Sequence, residues 1–148
     1  MRLTTKGRYA VTAVLDLALH QDTGPVSLAA ISERQHISLS YLEQLFAKLR
    51  RNEIVCSTRG PGGGYKLKND VDEVRVSDII TAVDEAYSVV DCADSDGCSD
   101  GYQCLTHDLW QELSNEIRTF LDGITLSEIM AQQSVNDVKQ RQDEISLM

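Results

Sequence analysis

At 148 residues the chain suits one ordinary core plus an appendage and is short for two independent domains. Its net charge of −9 argues on average against a polyanionic partner. The average hides an asymmetry, however: residues 1–69 carry ten Lys and Arg against five Asp and Glu, whereas residues 70–148 carry four against eighteen. A basic front and an acidic back suit a DNA-reading module joined to a part that stays off the DNA.

Arg2, Lys6 and Arg8 precede an apolar run from Tyr9 to Leu19, which has the outline of a secretory leader. Asp16 inside that run makes insertion costly, and no apolar stretch nears the ~20 residues of a membrane span, so a cytoplasmic protein is expected. With Thr12 and Asp16 as its polar residues, the run reads as a helix buried on most of its circumference. Asp22 to Pro25 is a turn, and Ser27 can cap a short helix from Leu28 to about His36. After Ile37 and Ser38, Leu42, Leu45, Phe46 and Leu49 fall at i, i+3, i+4 and i+7, the apolar face of a second helix. Its opposite face carries Ser40, Glu43, Gln44, Ala47, Lys48 and Arg51, and it ends in the basic residues Lys48, Arg50 and Arg51. Two short helices with a tight turn, over about 28–51, predict a helix-turn-helix. Gln44 suits a base edge, Lys48, Arg50 and Arg51 suit phosphates, and Glu43 either completes a capping box with Ser40 or faces cytosine.

From Ile54 to Leu67 the pattern changes to two short strands around Arg59-Gly60-Pro61-Gly62-Gly63-Gly64, a wing over about 54–67 whose Arg59 can reach a groove. The glycines are not a phosphate-binding loop, since no Lys-Ser or Lys-Thr follows and no helix pattern opens after them. Cys56, in the first wing strand, reads as a small packing residue. A further helix is expected near Ser77–Glu85, then a polar loop from Asp91 to Gln103. From Thr106 onward Trp110, Leu113, Ile117, Phe120 and Ile124 are spaced 3, 4, 3, 4, the seam of a helix that packs on another helix and a candidate dimer contact. Thr125 and Glu128 predict a capping box for a last short helix through Met130. The polar residues beyond Gln133 predict a mobile tail over 134–148. His20 and His36, near helix ends, receive no role.

Three of the four cysteines lie between Cys92 and Cys104, and in a reducing compartment such a cluster reads as metal or redox chemistry. The spacing Cys92-x5-Cys98-x5-Cys104-x2-His107 supplies three thiolates and one imidazole, a complete ligand set. Five-residue gaps lean away from the close Cys pairs of structural zinc and towards an iron-sulfur cluster. His107, in the first turn of the Thr106 helix, sits where the helix dipole disfavours imidazolium and leaves a neutral ligand nitrogen. The aspartates of the same loop do not fall in a calcium-loop register. No nucleophile with a paired base appears, so no enzyme is expected. Structural zinc, and an iron-sulfur carrier without DNA binding, remain the alternatives.

Together these residues resemble the iron-sulfur cluster assembly regulators, a branch of a winged-helix repressor family. The resemblance covers nearly the whole chain. It is carried by Met1-Arg2-Leu3-Thr4, Ile31-Ser32-Glu33-Arg34-Gln35, the stretch from Ile37 to Phe46, the wing Arg59 to Tyr65, Cys104-Leu105-Thr106-His107 and the intact Cys, Cys, Cys, His set. It implies a mainly α winged helix-turn-helix with a small β wing and a long C-terminal dimerisation helix. It further implies a homodimer on an imperfect palindrome of double-stranded DNA, and a [2Fe-2S] cluster per subunit delivered by cluster-assembly machinery. Cluster-assembly genes would be repressed when the cluster is present, and a different target set served when it is absent. On this reading residues 1–70 form the DNA-binding region, 71–133 the cluster-binding loop and dimerisation helices, and 134–148 the tail. The ligand loop is unusually acidic for the branch, which should lower the cluster's potential.

Overall fold

In the computed structural model, which describes residues 5–83 and 105–146, the first apolar run forms α1 (Thr5–His20). Ala10, Ala13, Val14 and Leu17 are fully buried on it and Val11, Leu15 and Leu19 half-buried, while Tyr9 stays 42 % exposed, so the helix is covered on most of its circumference, as its pattern predicts. α1 is the centre of the molecule, packing against α2 (Leu28–Gln35), α3 (Leu39–Arg51), α4 (Val76–Val83) and α6 (Leu126–Met130). Ser27 caps α2 as expected, its hydroxyl accepting from the Ala30 amide at 3.1 Å. α2 ends on His36 at φ 56°, whose amide donates to Ser32 O at 2.9 Å. That left-handed residue makes the tight connection into α3.

Leu42, Leu45, Phe46 and Leu49 are all buried, so the apolar stripe of α3 faces the core as its spacing predicts. Each such side chain contributes roughly 1.5–3 kcal/mol of burial. β1 (Val55–Thr58) and β2 (Gly64–Leu67) pair antiparallel, with Val55 opposite Leu67 and Thr58 opposite Gly64. Val26 extends this wing as a third, single-residue strand: its amide donates to Tyr65 O at 2.9 Å, and the Tyr65 amide donates back at 2.8 Å. Phe46 meets the Tyr65 ring edge-on at 5.0 Å, joining α3 to the wing. The molecule is thus mainly α with a winged helix-turn-helix.

The start of α4 is fastened to the far end of α5 (His107–Asp122). The Val76 amide donates to Ile124 O, the Leu126 amide to Val74 O, and Arg75 Nη1 to Asp122 O, each at 3.0 Å. Thr125 and Glu128 form the expected capping box. Asp84 and Glu85, the end of the expected Ser77–Glu85 helix, and the cysteine loop lie outside the described residues. No helix among the described residues is long and apolar enough to cross a membrane.

Where a mobile tail was expected over 134–148, the described residues form α7 (Gln133–Ser146) against α2 and α6. Its composition is too polar for a core, but it docks through polar side chains. His20 Nε2 donates to Asp143 Oδ1 at 2.8 Å, Lys139 Nζ to Asp143 Oδ2 at 2.7 Å, and Gln35 Nε2 to Gln142 Oε1 at 2.9 Å. Burial opposes the charge on Asp143, but the bonds from Lys139 and His20 prevail and hold its pKa below the usual carboxylate range.

Beneath this layer lies Asp16, whose side chain is fully buried. Its carboxylate accepts two bonds from Arg34, Nε at 2.9 Å and Nη2 at 2.6 Å, and one from Gln35 Nε2 at 2.8 Å. The same pairing raises the Arg34 pKa against the opposing cost of burial. Removing one partner of a buried pair leaves a bare charge and costs about 3–5 kcal/mol. Arg34→Ala should therefore lower unfolding free energy by about that much in a urea titration; a loss within roughly 0.5 kcal/mol, as at an ordinary surface position, would contradict this account.

Candidate nucleic-acid interface and ligand cluster

The outward face of α3 presents Ser40, Glu43, Gln44, Ala47 and Arg51, all exposed. The helix is capped by Ser38, whose hydroxyl accepts from the Tyr41 amide at 3.1 Å. Because the cap sits two residues earlier than Ser40, Ser40 and Glu43 form no capping box. Both lie on the helix proper, and Glu43 projects into solvent beside Gln44. Glu43 is thereby left as an uncapped carboxylate on the exposed polar face of α3.

The basic residues at the end of α3 separate. Arg51 is exposed on the same face. Arg50 leans towards the wing, with Nη1 donating to Ser57 Oγ at 3.4 Å. Lys48 is half-buried and turns to the other edge, where Nζ donates to the backbone carbonyl of Val83 at 3.4 Å. The sequence pattern placed all three at the phosphates, but their angular positions around the helix differ.

Arg59 stands exposed at the root of the wing turn. Gly60 and Gly62 take φ of 98° and 73°, a region that L side chains rarely adopt. Gly64 is required for another reason: a Cβ there would lie 2.4 Å from Val26 O, at the bridge that ties the wing to the body. Cys56 is exposed and sits opposite Lys66 on the outer side of the strand pair. It is therefore not the packing residue expected, because the strand alternation turns Val55, not Cys56, into the core.

Of the candidate ligands, Cys92, Cys98 and Cys104 lie outside the described residues. His107 is the first residue of α5 and only 5 % exposed, whereas Leu105 two residues earlier is fully exposed. The position in the first helical turn agrees with the sequence expectation. Trp110 Nε1 donates to Thr106 Oγ1 at 2.9 Å, which fixes the start of the helix. α5 packs on α4, so the buried imidazole belongs to the helix neighbouring the one that meets Lys48. Among the described residues no three His, Cys, Asp or Glu side chains gather into another metal site.

On α5, Trp110, Leu113 and Ile117 are half-buried, while Leu109 and Phe120 are 55 % and 67 % exposed. Ile124, the last position of the expected seam, lies beyond the helix in the turn to α6. The residues missed by sequence reasoning are Asn52, which contacts both α3 and α4, and His20, which bridges α1 to α7. The i, i+4 pair Lys139 and Asp143 was the available signal for α7.

A winged helix with an exposed polar reading face defines the class, a DNA-binding transcription regulator, and comparison with known proteins agrees. The family model for Rrf2, described as an iron-dependent transcriptional regulator, matches residues 3–132. The chain belongs to that family. It is 59 % identical over 97 % of its length to a putative HTH-type transcriptional regulator, ORF2, of Azotobacter vinelandii, covering 87 % of that protein. It is 58 % identical, with the same two coverages, to the HTH-type transcriptional regulator IscR of Sodalis glossinidius. Among solved structures, T. potens IscR aligns with TM-score 0.73 at 37 % identity over 90 % of each chain. CymR, the global cysteine regulator of B. subtilis, aligns with TM-score 0.74 at 32 % identity over 87 % of this chain and 95 % of its own. The relatives are transcription regulators, not enzymes.

Gly64→Ala should displace the wing from Val26 and destabilise the fold by about 1–3 kcal/mol, the usual cost of overpacking. Thermal denaturation together with amide exchange at Tyr65 measures it, and an unchanged melt would contradict the close approach.

Proposed function

We propose that this regulator selects its DNA sites according to whether a [2Fe-2S] cluster is held by Cys92, Cys98, Cys104 and His107. The observation that carries this reading is the buried His107 at the start of α5, completing the spaced set of three thiolates. The donor chemistry fits: three soft anionic ligands and one imidazole suit an iron-sulfur cluster, and a helix N-terminus favours the anionic charge such a site carries. When bound, the cluster supplies a redox-sensitive and iron-dependent group whose presence reports on cellular cluster supply. The family description as iron-dependent, and the naming of close relatives as IscR, support the same reading.

The chain's own residues do the recognition. α3 enters the major groove, with Ser40 and Gln44 facing base edges, Glu43 discriminating against sequences that offer it no donor, and Arg51 and Arg50 holding phosphates. Arg59 reaches a groove from the wing. Lys48, set against Val83, contributes charge at the edge of the interface. The exposed Leu109 and Phe120 on α5 are covered by the same helix of a second copy, giving a homodimer on an imperfect palindrome with half-sites about 34 Å apart or a multiple of it. The protein works in the cytoplasm, receives its cluster from the cluster-assembly machinery, and represses or activates according to the promoter, cluster-assembly genes among its targets.

Anaerobically purified protein should be red-brown, with about two irons and two sulfides per chain, by the ligand logic of such clusters. Stoichiometric zinc without sulfide would falsify the proposal. Gln44→Ala should cost about 1–3 kcal/mol on the preferred site and little on random DNA. Arg51→Ala should weaken all DNA alike and reduce the slope of log K against log salt by about one. Equilibrium titrations of both variants at several salt concentrations check this, and equal losses on preferred and random DNA for Gln44→Ala would remove that residue from base reading.

A further inference from the structure

The last turn of α3 is tied to α4 by side chains rather than by packing alone. Asn52 is the residue that ends α3. Its Nδ2 donates to Lys48 O within its own helix at 2.9 Å and to Ala82 O in α4 at 3.2 Å. Lys48 Nζ adds a bond to Val83 O at 3.4 Å. Two donors from α3 therefore hold two successive carbonyls of α4. Helix carbonyls point towards the C-terminal end, so this grip lies on the side from which the chain runs on to Cys92, nine residues beyond Val83.

The joint also reaches the wing. After Asn52 the chain turns at Glu53, φ 63°, and enters β1 through Ile54, whose amide donates to Leu49 O at 3.0 Å and whose carbonyl accepts from the Lys68 amide at 3.1 Å. Lys68 Nζ in turn meets Glu53 Oε1 at 2.9 Å. The end of the reading helix, the root of the wing and the end of α4 thus converge on Asn52. The side-chain bonds of Asn52 and Lys68 are exposed to solvent, that of Lys48 is part-buried, and such bonds add little stability. Their physical effect is directional: the apolar stripe of α3 is held by contacts without preferred direction, which resist small rotations about the helix axis weakly, whereas hydrogen bonds at the helix end fix its rotation and height.

We propose that Asn52, assisted by Lys48, is the positioning residue through which the state of the cysteine-bearing segment reaches the DNA-reading face. The inference rests on the cluster-gated reading given above. A displacement of the end of α4 is transmitted through Ala82 O and Val83 O to α3, and changes how Gln44, Glu43 and Arg51 meet the groove. Asn52 itself touches no base in this scheme.

The test compares cluster-bound protein with protein stripped by an iron chelator, for wild type and Asn52→Ala, on the DNA site each wild-type form prefers and on random DNA. In wild type the affinity ratio between the two sites should differ between the forms by about 5- to 150-fold, the usual range of such coupling. In Asn52→Ala that difference should collapse to about twofold or less, well below that range, with iron, sulfide, visible spectrum and circular dichroism unchanged. Asn52→Asp, which keeps the shape and loses the donor, should behave the same way. Amide exchange supplies a readout that a purely structural role would not move: cluster removal should alter protection in the last turn of α3 in wild type and leave it unaltered in Asn52→Ala. If wild type discriminates and Asn52→Ala keeps the full difference, the coupling through Asn52 is overturned while cluster gating stands. If wild type itself shows the same preference in both forms, cluster gating fails and the coupling falls with it.

Discussion

The arrangement of the DNA-binding half depends on one buried ion pair. Asp16 lies on the central helix α1 with its carboxylate removed from water, and Arg34 and Gln35 at the end of α2 supply its three side-chain hydrogen bonds. Burying such a charge is tolerable only when paired with good geometry, so the orientation of α2 on α1 is fixed by the two-pronged match of guanidinium to carboxylate. α3 follows from α2 after three residues, the first of which, His36, is left-handed, so the short link ties its placement to that of α2. α7 covers the pair from outside through Gln142 and Asp143, so the C-terminal segment takes part in holding the helix-turn-helix in place.

On that scaffold α3 serves three neighbours at once. Its apolar stripe enters the core, its polar face is left open to solvent, where the proposed reading places DNA, and its final turn is shared with α4 and β1. The division follows from angular position: residues three and four apart share a face, so Ser40, Glu43, Gln44, Ala47 and Arg51 align outward while Lys48 and Arg50 fall on the two flanks. A basic run in sequence becomes one outward residue and two flanking ones in space. This is why a charge run alone overstates how many cations meet a polyanion.

Much of this was legible in the sequence wherever a period or a cap carried the information. The α3 stripe, the Ser27 cap, the Thr125–Glu128 box and the glycine-rich wing each followed from local chemistry and stand where the patterns put them. Which serine caps α3 was open in the sequence, and Ser38 rather than Ser40 takes that place, so of the two roles open to Glu43 the capping box is not formed. The failures share a cause. The fate of residues 133–146 hinged on partners more than a hundred positions away, His20 and Gln35, which no local pattern contains. Asp16 was legible as an anomaly in an apolar run, and its meaning, a buried partner for Arg34, required the fold. Cys56 was misjudged because strand alternation sets its direction only once the register is fixed by Val55 and Leu67.

The most direct test of the central claim is anaerobic selection from a randomised duplex library by the cluster-bound and the cluster-free protein in parallel. The account predicts two distinct sets of enriched palindromes, because the same reading face is presented in two poses. A single motif enriched equally by both forms, at equal affinity, would contradict it.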